Sequence, residues 1–186
     1  CPKGKYTASN GCNVCAAGEH STAAGAAWCT ACGEGKYANN MTSNEGATDC
    51  IDCDAGFYSE LKSVDCTICD IGKISKEAGS PYCSSCTPGT FSFFNATKCS
   101  KCPVQGFDCI DNTAKLQLYY WITNNIPITD QTVAYKCVNS NNACILSHDK
   151  YSVSCNTDKG YSGILCGECI NGLYVRSGNQ CVQCPA

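Results

Sequence analysis

The sequence predicts a small disulfide-rich fold, irregular and β, built as an elongated ladder of short β-hairpin modules with little helix. Three observations lead to this prediction. The chain has 21 cysteines in 186 residues, and Leu, Ile, Val and Phe together number only 30 (16%). A fraction that low is typical of chains that stay unfolded without other help. The cysteines also recur in pairs at a short period, so covalent links are expected to replace much of an apolar core.

The charge pattern excludes one class of partner. The net charge is −3, from 13 basic and 16 acidic residues spread along the chain, and there is no basic stripe to neutralise phosphates. We therefore expect no nucleic acid partner.

No apolar run reaches the 18 or so residues that a membrane span needs, so no span is expected within this segment. The chain lacks a signal-peptide pattern and begins at Cys1 rather than Met, which favours a processed product or a piece of a longer protein.

Residues 1–102 form a tandem array of cysteine-rich repeats. The first cysteines of successive Cys-x-x-Cys pairs are 17, 21, 16, 17 and 16 residues apart. The phrase Cys-x-x-Gly-x-Φ-(Ser/Thr/Ala) follows nearly every pair, where Φ is a large residue such as Tyr37, Tyr58 or Phe91 and is once His20. The Gly suits a turn with positive φ, and Φ is placed to cover nearby sulfurs. The pairs are Cys12/Cys15, Cys29/Cys32, Cys50/Cys53, Cys66/Cys69, Cys83/Cys86 and Cys99/Cys102.

The repeat suggests a bond from the second cysteine of each pair to the first cysteine of the next. Each bond would close a loop of 10 to 17 residues, and a loop near 15 residues contributes about 3 kcal/mol in the chain-entropy model. The sequence alone leaves the connectivity open, since six cysteines already allow about fifteen pairings. The suggested bonds are Cys1 to Cys12, Cys15 to Cys29, Cys32 to Cys50, Cys53 to Cys66, Cys69 to Cys83 and Cys86 to Cys99.

The opening stretch "CPKGKYTASNGCNVC" resembles the first module of the tumour necrosis factor receptor cysteine-rich domain. The tandem form resembles the related ephrin-receptor-like repeats of secreted and surface proteins. The resemblance covers residues 1 to about 102 and returns in "CINGLYVRSGNQCVQC" at 169–184. It implies the neighbour-to-neighbour bonds above and an elongated, stacked rod. The chain lacks the three-disulfide second module of a full receptor repeat.

Residues 103–154 break the repeat and predict an irregular β segment with a small apolar core. Leu116, Leu118, Tyr120 and Ile122 alternate as in a strand, "QTVAYKCV" predicts a second strand, and "TNNIPITD" predicts the turn between them. Tyr119 and Trp121 would then share the opposite face. They form a candidate contact patch, with inward packing as the alternative interpretation.

Residues 155–186 predict closing modules that continue beyond the chain end. "CNTDKGYSGILCGEC" resembles the last turn of an epidermal growth factor-like domain, which implies a Cys155 to Cys166 bond. Together with the Tyr-Trp segment it resembles the end of cysteine-rich ectodomains in large surface proteins of single-celled eukaryotes, where Gly is common at the position of Tyr119. Provisional bonds join Cys102 to Cys109, Cys137 to Cys144 and Cys169 to Cys181.

These assignments leave Cys184 unpaired. An odd cysteine in a secreted chain indicates either a partner outside the segment or an intermolecular bond, and we favour the first interpretation.

Three kinds of chemistry compete with the disulfide interpretation. Two Cys-x-x-Cys pairs can supply the four ligands of a zinc site. The six consecutive pairs here do not divide into separate sets of four cysteines, however, and the chain has only two histidines. A redox couple needs one activated pair beside a βαβ pattern, which is missing. Asp49, Asp52 and Asp54 cluster in sequence and could form a calcium-binding loop. The favoured interpretation is that they form a solvated acidic face. We therefore expect no cofactor and no metal.

The sequence predicts that the chain is not an enzyme. His20 occupies the Φ position, where covering a disulfide is the expected role, and His148 lies in "LSHDK", which is typical of a solvated loop. No nucleophile elbow, phosphate loop or zincin motif occurs.

Two glycosylation acceptors indicate the compartment. "NMT" at Asn40 and "NAT" at Asn95 each lie between a Gly-x-Φ phrase and the next cysteine. Two acceptors at equivalent repeat positions favour the secretory pathway, hence an extracellular or cell-surface location.

Together these features predict a non-enzymatic, extracellular structural or adhesive rod, stabilised by disulfides. It would be a segment of a larger surface glycoprotein or of an extracellular filament of the fibre or flagellar-hair type. The expected partners are proteins, including copies of the chain itself, and glycans. The alternative is the ligand-binding ectodomain of a transmembrane receptor.

Overall fold

The computed structural model describes residues 1–38, 46–122, 128–138, 142–148 and 152–185. The predicted fold class is confirmed: the chain is a small disulfide-rich fold of two-stranded antiparallel hairpins, 37% strand and 4% helix. The chain divides into two compact units. The first unit is Cys1–Thr87 with Phe91–Cys99, and the second unit is Pro88–Thr90 with Ser100–Ala186. The predicted segments 103–154 and 155–186 therefore lie in one unit.

The strands are short because each module carries only a turn, a short extended stretch and a closing cysteine. In the first half of the chain the strands are β1 Lys5–Ala8, β2 Gly11–Val14, β3 Glu19–His20, β4 Thr30–Ala31, β5 Lys36–Tyr37, β6 Ile51–Asp52, β7 Phe57–Tyr58, β8 Thr67–Ile68, β9 Lys73–Ile74, β10 Ser84–Ser85, β11 Thr90–Phe91 and β12 Ser100–Lys101.

The strands of the second half are β13 Phe107–Ile110, β14 Thr113–Leu116, β15 Tyr120–Trp121, β16 Tyr135–Lys136, β17 Cys144–Leu146, β18 Val153–Cys155, β19 Tyr161–Ser162, β20 Glu168–Cys169, β21 Tyr174–Ser177 and β22 Gln180–Gln183. Two short 3-10 turns lie at Thr157–Lys159 and Ile164–Cys166. Within the described residues each strand pairs with its neighbour in sequence, which makes eleven two-stranded sheets.

A repeated hydrogen bond links successive modules of the first unit. The phrase glycine of one module donates its backbone N–H to the Ser or Ala carbonyl that follows Φ in the next module. These acceptors are buried, as are the cysteines that open every phrase of this unit except the first. The last residue of the phrase is therefore a buried junction between modules. The bonds are Gly4 to Ser21 (2.9 Å), Gly18 to Ala38 (3.1 Å), Gly35 to Ser59 (2.8 Å), Gly56 to Ser75 (2.9 Å) and Gly72 to Ser92 (3.1 Å).

A second repeated feature is a residue with positive φ four positions before the closing cysteine of a module. In every module of the set except that of Gly25, this residue packs against the phrase glycine two modules earlier, so a module contacts both the next module and the one after. Three of the five are glycines, which take this conformation without a Cβ penalty. The set is Gly25, Gly46, Lys62, Gly79 and Asn95, with φ of 75°, 78°, 62°, 74° and 58°.

In the second unit the predicted strand from Leu116 to Ile122 is wrong. The strand β14 ends at Leu116, Tyr119 has φ 67°, and β15 begins at Tyr120. A left-handed residue breaks the alternation of faces, so Leu118 is exposed while Leu116 and Ile122 are buried. The predicted second strand is present as β16, and residues 123–127 of the predicted turn lie outside the described residues.

Tyr119 therefore takes a conformation that glycine adopts most readily. Its carbonyl accepts a hydrogen bond from the N–H of Cys137 at 2.9 Å, which ties β15 to the end of β16.

Across the described part of the chain, no helix has the length and apolar character needed to cross a bilayer.

Candidate functional site

The second unit contains an apolar cleft beside the strand pair β15–β16. The pairing places Trp121 directly opposite Tyr135, and residues opposite each other in an antiparallel pair point to the same face. The cleft has a volume of about 570 Å³, and none of the lining residues that the structure describes carries a charge. Its lining residues are Trp121, Ile122, Thr129, Gln131, Thr132, Val133, Tyr135, Ile164 and Leu165. The volume and the aromatic lining are typical of binding pockets.

Trp121 both packs inward and lines a surface cleft, the two alternatives that the sequence left open. It packs against a small core formed by Ala143, Tyr161 and Cys166, and it also lines the cleft. Tyr119, the other residue of the candidate contact patch, is 44% exposed and does not line the cleft. The structure therefore does not bring the two predicted patch residues together in one site.

One wall of the cleft is an irregular turn. Ile164 is 79% exposed there, and Leu165 has φ 56°. The Leu165 carbonyl accepts a hydrogen bond from the N–H of Val138 at 3.1 Å, which holds the turn against the residues that follow β16. A leucine at positive φ is disfavoured by about 1–2 kcal/mol relative to the right-handed region, so glycine would be less strained at this position.

Another part of the cleft lining is a tight turn from Thr129 to Thr132 that is closed by its own hydrogen bonds. The N–H of Thr129 donates to Oγ1 of Thr132 at 2.7 Å, and the N–H of Thr132 donates to the Thr129 carbonyl at 3.0 Å. These bonds place Val133 and Tyr135 on the cleft. Sequence reasoning did not assign Val133, Ile164 or Leu165 to a site. Val133 was only part of a predicted strand, and Ile164 and Leu165 follow no helix or strand periodicity.

The structure joins the same ten cysteine pairs that the sequence suggested. Their Cα atoms are 5.2–6.3 Å apart, within the usual range for disulfides. Cys184 is exposed and free. The disulfides are Cys1–Cys12, Cys15–Cys29, Cys32–Cys50, Cys53–Cys66, Cys69–Cys83, Cys86–Cys99, Cys102–Cys109, Cys137–Cys144, Cys155–Cys166 and Cys169–Cys181.

The two histidines lie in different environments. Nδ1 of His20 is 3.1 Å from Sγ of Cys50 and 3.0 Å from the Thr30 carbonyl, so the ring covers the Cys32–Cys50 disulfide as expected. His148 is exposed, and its neighbour Asp149 lies outside the described residues.

The three acidic residues near Cys50 and Cys53 have separate local roles. Asp49 accepts the N–H of Cys50 on Oδ1 at 2.9 Å, and Asp52 pairs with Lys36 at 2.5 Å. Asp54 uses its backbone carbonyl to accept the N–H of Phe57 at 3.1 Å. Among the described residues, the one group of metal-ligand type is His20, Cys32 and Cys50, and its two sulfurs are bonded to each other.

The predicted glycosylation acceptor Asn95 is exposed and occupies one of the positive-φ positions. Its N–H donates to the Cys69 carbonyl at 3.1 Å. Asn40 lies outside the described residues.

No family model matches the chain, and no curated protein matches it significantly.

Proposed function

We propose that this chain is a non-enzymatic structural and adhesive segment of an extracellular surface glycoprotein or filament, and that the cleft beside Trp121 is its contact site. The observation that carries the proposal is the set of ten disulfides between cysteines 7 to 18 positions apart in sequence. Such bonds form and persist in oxidising compartments, which supports a secreted or surface location.

The buried residues of the first unit support a structural role. They are mostly cysteines and small residues, with Cys32, Cys53 and Cys69 fully buried. Short disulfide loops limit how far each module can extend when the chain is pulled. The hydrogen bonds from each phrase glycine to the next module link these loops into a continuous array. An array in which each unit contacts its near neighbours can grow in length without a larger core.

The cleft supports an adhesive role. Ile164, Val133 and Tyr135 are exposed apolar residues on one concave surface. Exposed apolar patches of this kind mark interaction sites, and half-buried aromatic residues such as Trp121 are common interface anchors. We propose that the partner is protein, and in the filament case another copy of the chain.

The same cleft favours a second candidate function, a ligand-binding receptor ectodomain. The two candidate functions differ in which molecule occupies the cleft. A filament subunit binds its own copies, whereas a receptor ectodomain stays monomeric and binds another molecule.

Sedimentation velocity of the full chain over a wide concentration range tests the proposal. We expect concentration-dependent self-association that Ile164→Glu abolishes, because a carboxylate in an apolar contact is costly to desolvate. Val104→Glu is the matched control: Val104 is 98% exposed in the same unit and does not line the cleft. A wild-type chain that remains monomeric throughout overturns the filament proposal and leaves the receptor candidate.

A further inference from the structure

His20 departs from the repeat in a way that has chemical consequences. It stands at the Φ position, where other modules have Tyr37, Tyr58 or Phe91. The rings of those residues offer no nitrogen. Imidazole covers the sulfurs and presents a nitrogen lone pair that binds metal ions.

The three atoms around this disulfide are close enough for one metal ion. Nδ1 of His20, Sγ of Cys32 and Sγ of Cys50 all lie within 4.8 Å of one another, and the His20 to Cys50 distance is 3.1 Å. With zinc–sulfur bonds of about 2.3 Å and zinc–nitrogen bonds of about 2.0 Å, tetrahedral ligand atoms are roughly 3.5–3.8 Å apart. Once the disulfide opens, rotation of the two cysteine side chains brings the atoms to that spacing.

We infer that the Cys32–Cys50 disulfide is the oxidised form of a zinc site whose ligands are His20, Cys32 and Cys50. In the opening step two molecules of a thiol reductant give two electrons and two protons to the disulfide. The S–S bond breaks, the reductant forms its own disulfide, and Cys32 and Cys50 become thiols. Zn²⁺ then displaces both thiol protons, and water fills the fourth position.

His20 changes partner between the two forms. In the disulfide form, the tautomer protonated at Nδ1 donates to the Thr30 carbonyl, 3.0 Å away. In the zinc form the lone pair of Nδ1 binds the metal, so the proton resides on Nε2. The antiparallel pairing of His20 with Thr30 holds the backbone in place during this exchange.

The surroundings suit a cation that enters from one side. Cys32 is fully buried, while His20 and Cys50 are half-buried. The exposed carboxylate of Asp49 is adjacent to Cys50 and accepts its N–H, which adds negative charge at the open side and attracts cations.

Stepwise phosphine reduction of the full chain tests the inference, because it gives species with a single open disulfide that peptide mapping identifies. Co²⁺ is the probe, since thiolate-to-cobalt absorption reports sulfur ligation directly. We expect the species opened at Cys32–Cys50 to bind Co²⁺ about tenfold or more tightly than the same species of His20→Tyr. Loss of a ligand should cost at least as much as loss of a residue that supports one. Tyr is what the next module carries at this position.

The species opened at Cys86–Cys99 is the internal control, because Ile74, the Φ residue of the module before it, corresponds to His20, the Φ residue of the module before Cys32–Cys50. Equal Co²⁺ binding by the two opened species, or by His20→Tyr, overturns the inference. A second measurement does not require isolated species. In a glutathione buffer of fixed potential, Zn²⁺ should raise the reduced fraction of Cys32 and Cys50 in the wild type and not in His20→Tyr. An unchanged reduced fraction also overturns the inference.

Discussion

The side chain of Asn95 lies against Gly56 so closely that a Cβ on Gly56 would overlap Oδ1 of Asn95. The two residues are 39 positions apart and belong to modules that are not adjacent in sequence. Their contact shows why the phrase needs glycine: the position has both a positive φ and a neighbouring module packed onto it.

Gly56→Ala should lower the free energy of unfolding by about 2–5 kcal/mol, from left-handed strain together with overpacking. Gly89→Ala is the control, because Gly89 has a similar φ of 79° and open space around its Cα. It should cost only the backbone term of about 1–2 kcal/mol. Guanidinium unfolding followed by circular dichroism measures both, and equal costs would show that the contact with Asn95 does not matter.

Asn95 should carry an N-linked glycan when the chain is made in secretory cells, since its sequon is exposed. Thr97→Ala should remove this glycan, and Thr97→Ser should keep it, as read by the mass shift after enzymatic deglycosylation. Asn95→Gly should also remove the glycan while preserving the fold, because glycine occupies the equivalent position in three other modules. An unmodified wild-type Asn95 would contradict the prediction.

Replacing both Cys69 and Cys83 by Ala should lower the free energy of unfolding by about 3 kcal/mol. Their disulfide spans 14 positions, and the loss of loop closure at this length has that size. Cys184→Ala is the control: the thiol is exposed and free, so the change should be within about 0.5 kcal/mol. Chemical denaturation without reductant makes the comparison, and a small effect of the double replacement would mean that packing, not the disulfide, stabilises the module.

Leu165→Gly should leave the free energy of unfolding unchanged or raise it by up to about 1 kcal/mol, since glycine relieves the strain at φ 56°. The same variant should weaken partner binding, because one wall of the cleft is lost. Leu165→Val keeps an apolar side chain but should destabilise the fold, since β-branched residues are poorly accommodated at positive φ. Thermal unfolding measures the effect on stability, and sedimentation measures the effect on partner binding. Strong destabilisation by Leu165→Gly would show that Leu165 serves the core.

Several features were predictable because they are local. The cysteine spacing and the phrase glycine indicated turns and hairpins, and the structure contains the disulfides that this spacing suggested. The continuous strand through Tyr119 was a wrong prediction for a physical reason. An alternation of side chains cannot reveal a single residue that adopts positive φ, and here the carbonyl of Tyr119 is held by the N–H of Cys137.

The amino-acid order by itself determined the repeat of turns and short loops, because the spacing of the Cys-x-x-Cys pairs and the phrase glycines act locally; it left the pairing of the cysteines open. Only the tertiary structure decided which side chains meet across modules and across the second unit. Nδ1 of His20 lies 3.1 Å from Sγ of Cys50, 30 positions away, and Leu165 lines the same cleft as Trp121, 44 positions away. Such contacts depend on how separate loops pack together, and no short-range pattern in the sequence encodes that packing.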